Sequence, residues 1–218
     1  MTARTRLCAS AAVLATAIAC GRNSPVAPSP TTRINEPDSP VVERIAPSTG
    51  SISGTRVTIT GRGFRTGATV VIEEAAVGVV VVNSGMITAT TPVLTKEVSA
   101  ADVIVINPDE HSGRLASAFR YASFSIASSA AAVTANGSLS VTWKTSAAGP
   151  FDWIGLFKKE SPNTAYNSGW WQYTNGAATG TFTLTAPAVL GEYEFRYLLD
   201  DDFNDTTRSG LVTVVAER

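Results

Sequence analysis

The chain has 218 residues, with 17 lysines and arginines against 18 aspartates and glutamates, for a formal net charge of −1. A near-neutral chain without a cluster of basic residues argues against nucleic-acid binding, which needs a basic surface. The length suits two domains of ordinary size behind an N-terminal export segment.

The N-terminus has the pattern of an export signal. Arg4 and Arg6 precede an apolar stretch from Leu7 to Ile18, and Ala17-Ile18-Ala19 offers a small-residue cleavage site. The stretch is shorter than the about 20 apolar residues that a membrane-spanning helix needs. We therefore expect residues 1–19 to be a signal peptide that the mature protein lacks.

Cys20 directly follows this cleavage site. Ala17-Ile18-Ala19-Cys20 resembles a bacterial lipobox, whose cysteine is acylated and becomes the new N-terminus. The resemblance implies a lipid anchor on Cys20 and a membrane-attached protein of the bacterial cell envelope. Cleavage by an ordinary signal peptidase would instead give a secreted or periplasmic protein. The other cysteine, Cys8, lies in the signal segment, so no disulfide is expected in the mature chain.

A polar segment follows Cys20. It is rich in Pro, Ser, Thr and Asn and has almost no large apolar side chains. Such a segment buries too little surface to offset the entropy of ordering. We expect residues 20–39 to be a disordered tether, followed by folded domains at 40–121 and 122–218.

The remaining sequence alternates short β-type segments with glycine and proline, and no sustained 3.6-residue apolar pattern occurs after the signal. This pattern predicts an all-β chain of two tandem immunoglobulin-like β-sandwiches. Of the 4 tryptophans, 5 tyrosines and 8 phenylalanines, only Phe64, Phe119 and Tyr121 fall in the first domain. The two domains therefore have different cores.

In the first domain, Val57 and Ile59 alternate with polar residues, and the turn at residues 61–64 directs Phe64 inward. Further strands are predicted at 69–72, 79–82, 87–91 and 103–106.

Five phrases of this domain resemble the IPT/TIG immunoglobulin-like domain, in order and over residues 40–121. They are Ile45-Ala46-Pro47-Ser48-Thr49-Gly50, residues 54–64, Thr91-Pro92, residues 102–108 and Phe119-Arg120-Tyr121. The resemblance implies the fold and leaves the function open, because this family serves surface receptors, transcription factors and bacterial surface or polysaccharide-acting proteins. The basic loops of its DNA-contacting members are absent here.

In the second domain, three segments alternate between apolar and polar residues. The expected core positions are Leu139, Val141 and Trp143; Phe182 and Leu184; and Tyr193, Phe195 and Tyr197. We expect the intervening residues, Glu192, Glu194 and Arg196 among them, to face water.

Four aromatic phrases of this domain look like the immunoglobulin-like module of SKICH domains and of the N-terminal domain of purple acid phosphatases. They are Trp143, residues 152–157, Trp171-Gln172-Tyr173-Thr174 and residues 191–197. The resemblance implies an accessory unit beside an enzyme or partner.

The sequence offers no catalytic centre. It has one histidine, His111, which is expected to face solvent at a loop tip, and it has no Gly-x-Ser-x-Gly elbow. No thiol remains in the folded domains, and one histidine cannot build the metal centre of a metallophosphatase. We predict a protein that is not an enzyme.

Three oxygen-bearing residues, Asp200, Asp202 and Asn204, alternate as in calcium loops. The glycine and glutamate of such loops are replaced by Asp205 and Leu211, so a solvated hairpin tip is the alternative. No other cofactor is expected.

Adjacent residues of a strand point to opposite faces, so Trp170 and Trp171 cannot share one core. Trp171 shares a face with Tyr173, and we predict that it points inward. Trp170 would then point outward and, with Tyr166, contact a polysaccharide, an envelope protein or a phosphorylated ligand. Alternatively, Trp170 packs against the linker or the other domain.

Asp152 and Arg196 lie in the two strongest phrases, and we hypothesise that they form a partly buried structural ion pair. The sequence thus indicates a non-catalytic envelope lipoprotein whose domains act as spacer and binding module. Two alternatives stay open: an accessory subunit of a separately encoded hydrolase, and a purely structural spacer.

Overall fold

The computed structural model describes residues 33–34 and 39–217, and all regular secondary structure in this part of the chain is β-strand. It confirms the predicted all-β fold of two tandem immunoglobulin-like sandwiches. Within these residues there is no apolar helix of membrane-spanning length. The predicted signal peptide, Cys20 and most of the predicted tether lie outside the described residues.

The first sandwich pairs a four-stranded sheet with a six-stranded sheet. Its strands are β1 (Arg33–Ile34), β2 (Val41–Ala46), β3 (Thr49–Ser51), β4 (Arg56–Arg62), β5 (Thr69–Ile72), β6 (Glu74–Ala75), β7 (Val77–Asn83), β8 (Met86–Thr90), β9 (Val98–Ile106) and β10 (His111–Ala122). The sheet orders are β2-β4-β8-β7 and β1-β10-β9-β5-β6, with β3 also pairing with β10. Arg33–Ile34 pair in parallel with His111–Ser112, so this sheet begins within the range predicted as tether.

The core of the first sandwich follows the predicted alternation. Val57 and Ile59 of β4 are buried and face Val103 and Val105 of β9 in one apolar cluster. Phe64 is 3% exposed, as the turn before it predicts. Strands predicted at 69–72, 79–82, 87–91 and 103–106 fall within or close to β5, β7, β8 and β9. Alternate burial therefore holds in β4, β5, β8 and β9.

The second sandwich pairs a three-stranded sheet with a six-stranded sheet. Its strands are β11 (Phe124–Ser128), β12 (Ala132–Thr134), β13 (Ser138–Thr145), β14 (Trp153–Lys158), β15 (Trp171–Tyr173), β16 (Thr179–Thr185), β17 (Gly191–Leu198), β18 (Asp205–Arg208) and β19 (Val212–Val215). The orders are β11-β13-β16 and β12-β19-β17-β14-β15, with β18 also pairing with β17.

The core between these two sheets contains the predicted aromatic residues. Leu139, Val141 and Trp143 of β13 pack against apolar residues of the six-stranded sheet, which are Ile154, Leu156, Tyr193, Phe195 and Tyr197. The indole Nε1 of Trp143 donates a hydrogen bond to the carbonyl oxygen of Ala177 at 3.0 Å. The predicted inward face of β17 is confirmed.

The opposite face of the six-stranded sheet, which we call the outer face, is covered as well. Trp153, Phe157 and Leu198 form a second buried cluster there. Glu194 and Arg196 are only 8% and 1% exposed, so the predicted water-facing side of β17 is wrong at both residues. A strand that is buried on both faces has a continuous run of apolar residues in its sequence. Residues 153–157 form such a run.

The linker between the two sandwiches is a single residue, Ser123, which separates β10 from β11. Side chains also bridge them. Oγ1 of Thr55 and Oγ1 of Thr206 form a buried hydrogen bond at 3.2 Å, and Nη2 of Arg120 donates to the carbonyl oxygen of Ser146 at 2.8 Å. The connection therefore includes direct contacts as well as the linker.

Candidate ligand-binding cleft

A surface cleft of about 350 Å³ opens on the outer face of the six-stranded sheet. Five aromatic side chains and one carboxylate line it: Trp153, Tyr166, Trp171, Tyr173, Phe203 and Asp201. Trp153 belongs to β14, and Trp171 and Tyr173 belong to the edge strand β15. The other three come from two loops, residues 159–170 before β15 and residues 199–204 after β17.

Strand register explains why these rings meet. In the antiparallel pair of β14 and β15, Trp153 is opposite Tyr173 and Gly155 is opposite Trp171. Residues two apart share a face, so all of these point outward, while Ile154 faces the core. A Cβ atom on Gly155 would lie 2.9 Å from the ring of Phe157 and 3.1 Å from that of Trp153. Glycine at this position therefore leaves room for both rings.

Trp153 is the floor of the cleft, at 4% exposed. Three rings meet it at steep angles: Tyr166 at 5.9 Å and 70°, Trp171 at 6.0 Å and 77°, and Phe203 at 6.2 Å and 84° between centroids and ring planes. Edge-to-face pairs of this kind are favourable beyond their buried area. The cleft is thus built from mutually supporting aromatic contacts.

Tyr166 and Phe203 form the rim. Their rings stack at 5.9 Å with an interplanar angle of 23°. They remain 47% and 42% exposed, although each also contacts Trp153. Two neighbouring exposed rings on a supported base are a feature of interaction sites.

Polar groups occur at two points of the cleft. The indole Nε1 of Trp153 donates a hydrogen bond to the carbonyl oxygen of Asp202 at 3.1 Å, which fixes the floor. The phenol of Tyr173 donates to Oδ1 of Asp201 at 2.8 Å, and this bond raises the pKa of Tyr173. Tyr173 therefore stays a neutral donor, and Asp201 has the only charged side chain among the lining residues.

Arg196 anchors the first of the two loops from beneath. Its guanidinium is 1% exposed, donates from Nε to Glu194 Oε1 at 2.9 Å, and lies 4.7 Å from the ring centroid of Phe157. Nη1 of the same group donates to the carbonyl oxygen of Ser161 at 2.7 Å and to Oδ1 of Asn163 at 2.6 Å. Arg196 thereby anchors the loop that carries Tyr166.

Asn163 extends this network to the second loop. Its Nδ2 donates to the carbonyl oxygen of Phe203 at 2.6 Å and to Oδ1 of Asp205 at 2.8 Å. Burial alone would raise the pKa of Asp205, but hydrogen bonds from Arg208 and Asn163 outweigh it and lower the pKa. Arg208 also donates to Glu194 Oε1 at 2.8 Å. Two arginines and two carboxylates therefore balance one another beneath the cleft.

The predicted ion pair between Asp152 and Arg196 is wrong. The carboxylate of Asp152 accepts hydrogen bonds from the backbone N–H of Gly149 at 2.7 Å, the phenol of Tyr197 at 3.0 Å and the backbone N–H of Asp200 at 3.2 Å. Arg196 is paired in register with Gly155, so it lies further along the sheet and on the outer face. Both residues are buried and stabilise structure, but with different partners.

The predicted orientation of the two neighbouring tryptophans is reversed. Trp170 packs against the inner core, with its ring 6.2 Å from that of Tyr193 at 87°. Trp171 lines the outer cleft instead. The tryptophans do point to opposite sides, and Trp171 does share a face with Tyr173, as predicted. The face that they share is the outer face of the sheet and not the core.

Tyr166 is exposed and lines the cleft, and its role as a binding contact stays a prediction. Trp153, Phe203 and Asp201 were not predicted as site residues. The apolar run at 153–157 is the signal that could have found Trp153, because one face of that run must be covered by something other than the main core. Phe203 was harder to predict as a site residue, because the only sequence feature that marks it is its position as an aromatic residue within an acidic turn.

The acidic turn gives the calcium hypothesis no support. Asp200, Asp202 and Asn204 lie between β17 and β18, and Nδ2 of Asn204 donates to Oδ2 of Asp202 at 2.9 Å. Burial and the neighbouring charges of Asp152 and Asp202 raise the pKa of Asp200. Over residues 39–217 no three His, Cys, Asp or Glu side chains are grouped so that they could hold a metal ion.

His111 differs from its predicted setting. It begins β10 in the first sandwich, its side chain is 18% exposed, and Nδ1 lies 3.4 Å from Oδ1 of Asp109. It is therefore mostly covered rather than solvent-facing, and it does not line the aromatic cleft.

The comparison with protein families confirms the first resemblance. Residues 40–121 match the family model of the IPT/TIG domain, which covers the first sandwich from Pro40 to Tyr121. No curated protein matches this chain. The resemblance of the second sandwich to SKICH and purple acid phosphatase modules stays a prediction.

Several solved structures match this chain at low sequence identity. The extracellular region of plexin A4 is 15% identical over 82% of this chain and 16% of its own, with a TM-score of 0.44. The adhesin FdeC of Escherichia coli is 15% identical over 82% and 64%, with a TM-score of 0.33. SGBP-B of Bacteroides ovatus, solved with a mixed-linkage heptasaccharide, is 15% identical over 83% and 47%, with a TM-score of 0.33. The chain spans less than two thirds of each.

The buried position of Arg196 gives a stability prediction. Replacing Arg196 with Met leaves the buried Glu194 without its closest cation, and breaking such a pair typically costs about 3–5 kcal/mol. Arg208→Met is the matched control, because Arg208 also bonds Glu194 but its side chain is 46% exposed, and we expect a loss of about 1 kcal/mol or less. Urea unfolding followed by tryptophan fluorescence measures both. Equal losses in the two variants would contradict the network described here.

Proposed function

We propose that this protein is a non-catalytic, exported envelope protein whose first sandwich is a spacer and whose second sandwich binds a polysaccharide in the aromatic cleft. The observation that carries the proposal is the pair of exposed, stacked rings of Tyr166 and Phe203 above the buried Trp153. Exposed aromatic rings on a fixed base act as affinity anchors, since they bury large areas at low entropic cost.

The support beneath the cleft favours binding. Asn163 links the loop that carries Tyr166 to the loop that carries Phe203, and Arg196 fixes Asn163. A site whose walls are already ordered loses little conformational entropy when the ligand binds. The rings are therefore held ready for contact.

The size and polarity of the cleft favour a sugar chain over a protein surface. A volume of about 350 Å³ suits a small group, whereas protein interfaces are broad and bury about 800 Å² on each partner. Apolar faces of sugar rings can stack on Tyr166 and Trp171, and sugar hydroxyls can bond the carboxylate of Asp201. An apolar pocket with few polar groups is the usual form of a ligand site.

We also propose that the protein is held at a membrane by acylation of Cys20, on the lipobox resemblance of residues 17–20. Stable anchoring takes more than one acyl chain, which lipoprotein modification supplies. Intact mass of protein extracted from membranes should equal that of a chain beginning at Cys20 plus acyl groups. Cys20→Ser should move the protein to the soluble fraction, and an unmodified mass in the membrane extract would refute acylation.

Binding is tested with a panel of insoluble and soluble envelope polysaccharides, by sedimentation and affinity electrophoresis. Trp171→Ala should weaken binding to the recognised polymer by about tenfold or more, as truncation of an anchor does. Phe151→Ala is the matched control, because Phe151 is 61% exposed but does not line the cleft, and it should bind like the parent.

Circular dichroism on both variants confirms that each is folded. Equal binding by Trp171→Ala and the parent would remove the cleft from the proposed function. Co-purification with a hydrolase, without binding to any polymer, would instead assign the accessory role.

A further inference from the structure

The rings of the cleft enclose a volume rather than form a flat platform. Trp171 meets Tyr173 at 90° with 5.2 Å between centroids, and it meets Tyr166 at 87° and 6.2 Å. Trp153 closes the base, at 77° to Trp171. A flat platform for one sugar face would need coplanar rings. Walls at near right angles surround a compact group from several sides.

The charge that lines the cleft is negative. Asp201 is the only charged residue that lines it, and no lysine, arginine or histidine does so. Asp200 and Asp202 flank Asp201 in the same turn. The carboxylate of Asp201 is exposed and accepts one hydrogen bond, from Tyr173, so it retains lone pairs for a ligand. An anionic group would be repelled here and a cationic group attracted.

We propose that the cleft is an aromatic cage for a substituted ammonium group, such as a choline substituent or the ammonium of an amino sugar, carried by the bound polymer. The proposal rests on the proposed function and specifies the ligand chemistry of the same site. Aromatic faces attract an organic cation through their quadrupole, and the attraction grows when the cation is desolvated. Tyr166 and Trp171 supply the faces above the buried Trp153, and Asp201 supplies the opposite charge.

The cleft can hold such a group together with part of its polymer. Its volume of about 350 Å³ lies toward the lower end of ligand pockets, which span about 300–1,000 Å³. The exposed rim rings, Tyr166 and Phe203, are then available to stack on the sugar or chain that carries the ammonium. Cation recognition and glycan contact thus share the Tyr166 ring and otherwise use different rings of one site.

The test compares two probes of equal shape on the full mature chain. Choline chloride and its neutral isostere 3,3-dimethylbutan-1-ol differ in the positive charge and little else. Tryptophan fluorescence should report saturable choline binding, because Trp153 and Trp171 line the cleft. The isostere should bind about tenfold more weakly, in line with a largely desolvated cation–π contact.

Asp201→Asn separates charge from shape. Asp201 has a φ of 56°, a conformation that asparagine tolerates, so this change keeps the turn. It should weaken choline binding by about threefold to tenfold and leave the isostere unchanged. Glu217→Gln is the control, because it removes the same charge from an exposed position outside the cleft, and it should change neither affinity.

Oligomers of glucosamine and of N-acetylglucosamine distinguish an amino sugar from a choline substituent as the source of the charge. If choline and its isostere bind equally, or if a neutral polysaccharide binds through Trp171 while choline does not, the cation proposal is wrong and the proposed function stands. If no ammonium compound and no polysaccharide binds, both are wrong.

Discussion

The buried guanidinium of Arg196 is the interaction on which the outer face of the second sandwich depends. A charge with 1% exposure is tolerated only when it is paired and hydrogen-bonded. Arg196 meets this requirement with Glu194 from its own strand and with Ser161 and Asn163 from the loop before β15. The need to satisfy one cation therefore fixes the position of a loop that has no regular secondary structure. Asn163 passes the constraint to Phe203, and the cleft is held from both sides.

The two sandwiches use aromatic residues differently. The first keeps Phe64, Phe119 and Tyr121 in a single core, and the phenol of Tyr121 donates to the carbonyl oxygen of Ile72 at 2.8 Å. The second buries one aromatic layer between its sheets and places another on the outer face, where part of it stays exposed. Exposed apolar area lowers solubility and adds nothing to the fold, so its retention over a rigid base favours a binding role. The aromatic residues between the sheets thus stabilise the fold, and those on the outer face of the second sandwich form an exposed surface.

Alternation of apolar and polar residues predicted most of the fold, because burial with a period of two is visible in the residues themselves. It predicted β4, β13 and β17, and it separated Trp170 from Trp171. It failed at the outer face because alternation shows which residues share a side of a strand, but it does not show what covers that side. The partner of Arg196 depended on strand register and on a loop 33 residues away, neither of which spacing reveals. The apolar run at 153–157 was the one local sign of the second layer.

The proposed cleft exists only if Trp171, Tyr166 and Phe203 meet on the outer face while Trp170 belongs to the core. Nuclear Overhauser contacts between side-chain protons test this directly in solution. The structure predicts cross-peaks between the rings of Tyr166 and Phe203, between those of Trp153 and Trp171, and between those of Trp170 and Tyr193. Cross-peaks from Trp170 to Tyr166 or Phe203, with Trp171 in contact with Tyr193, would contradict it.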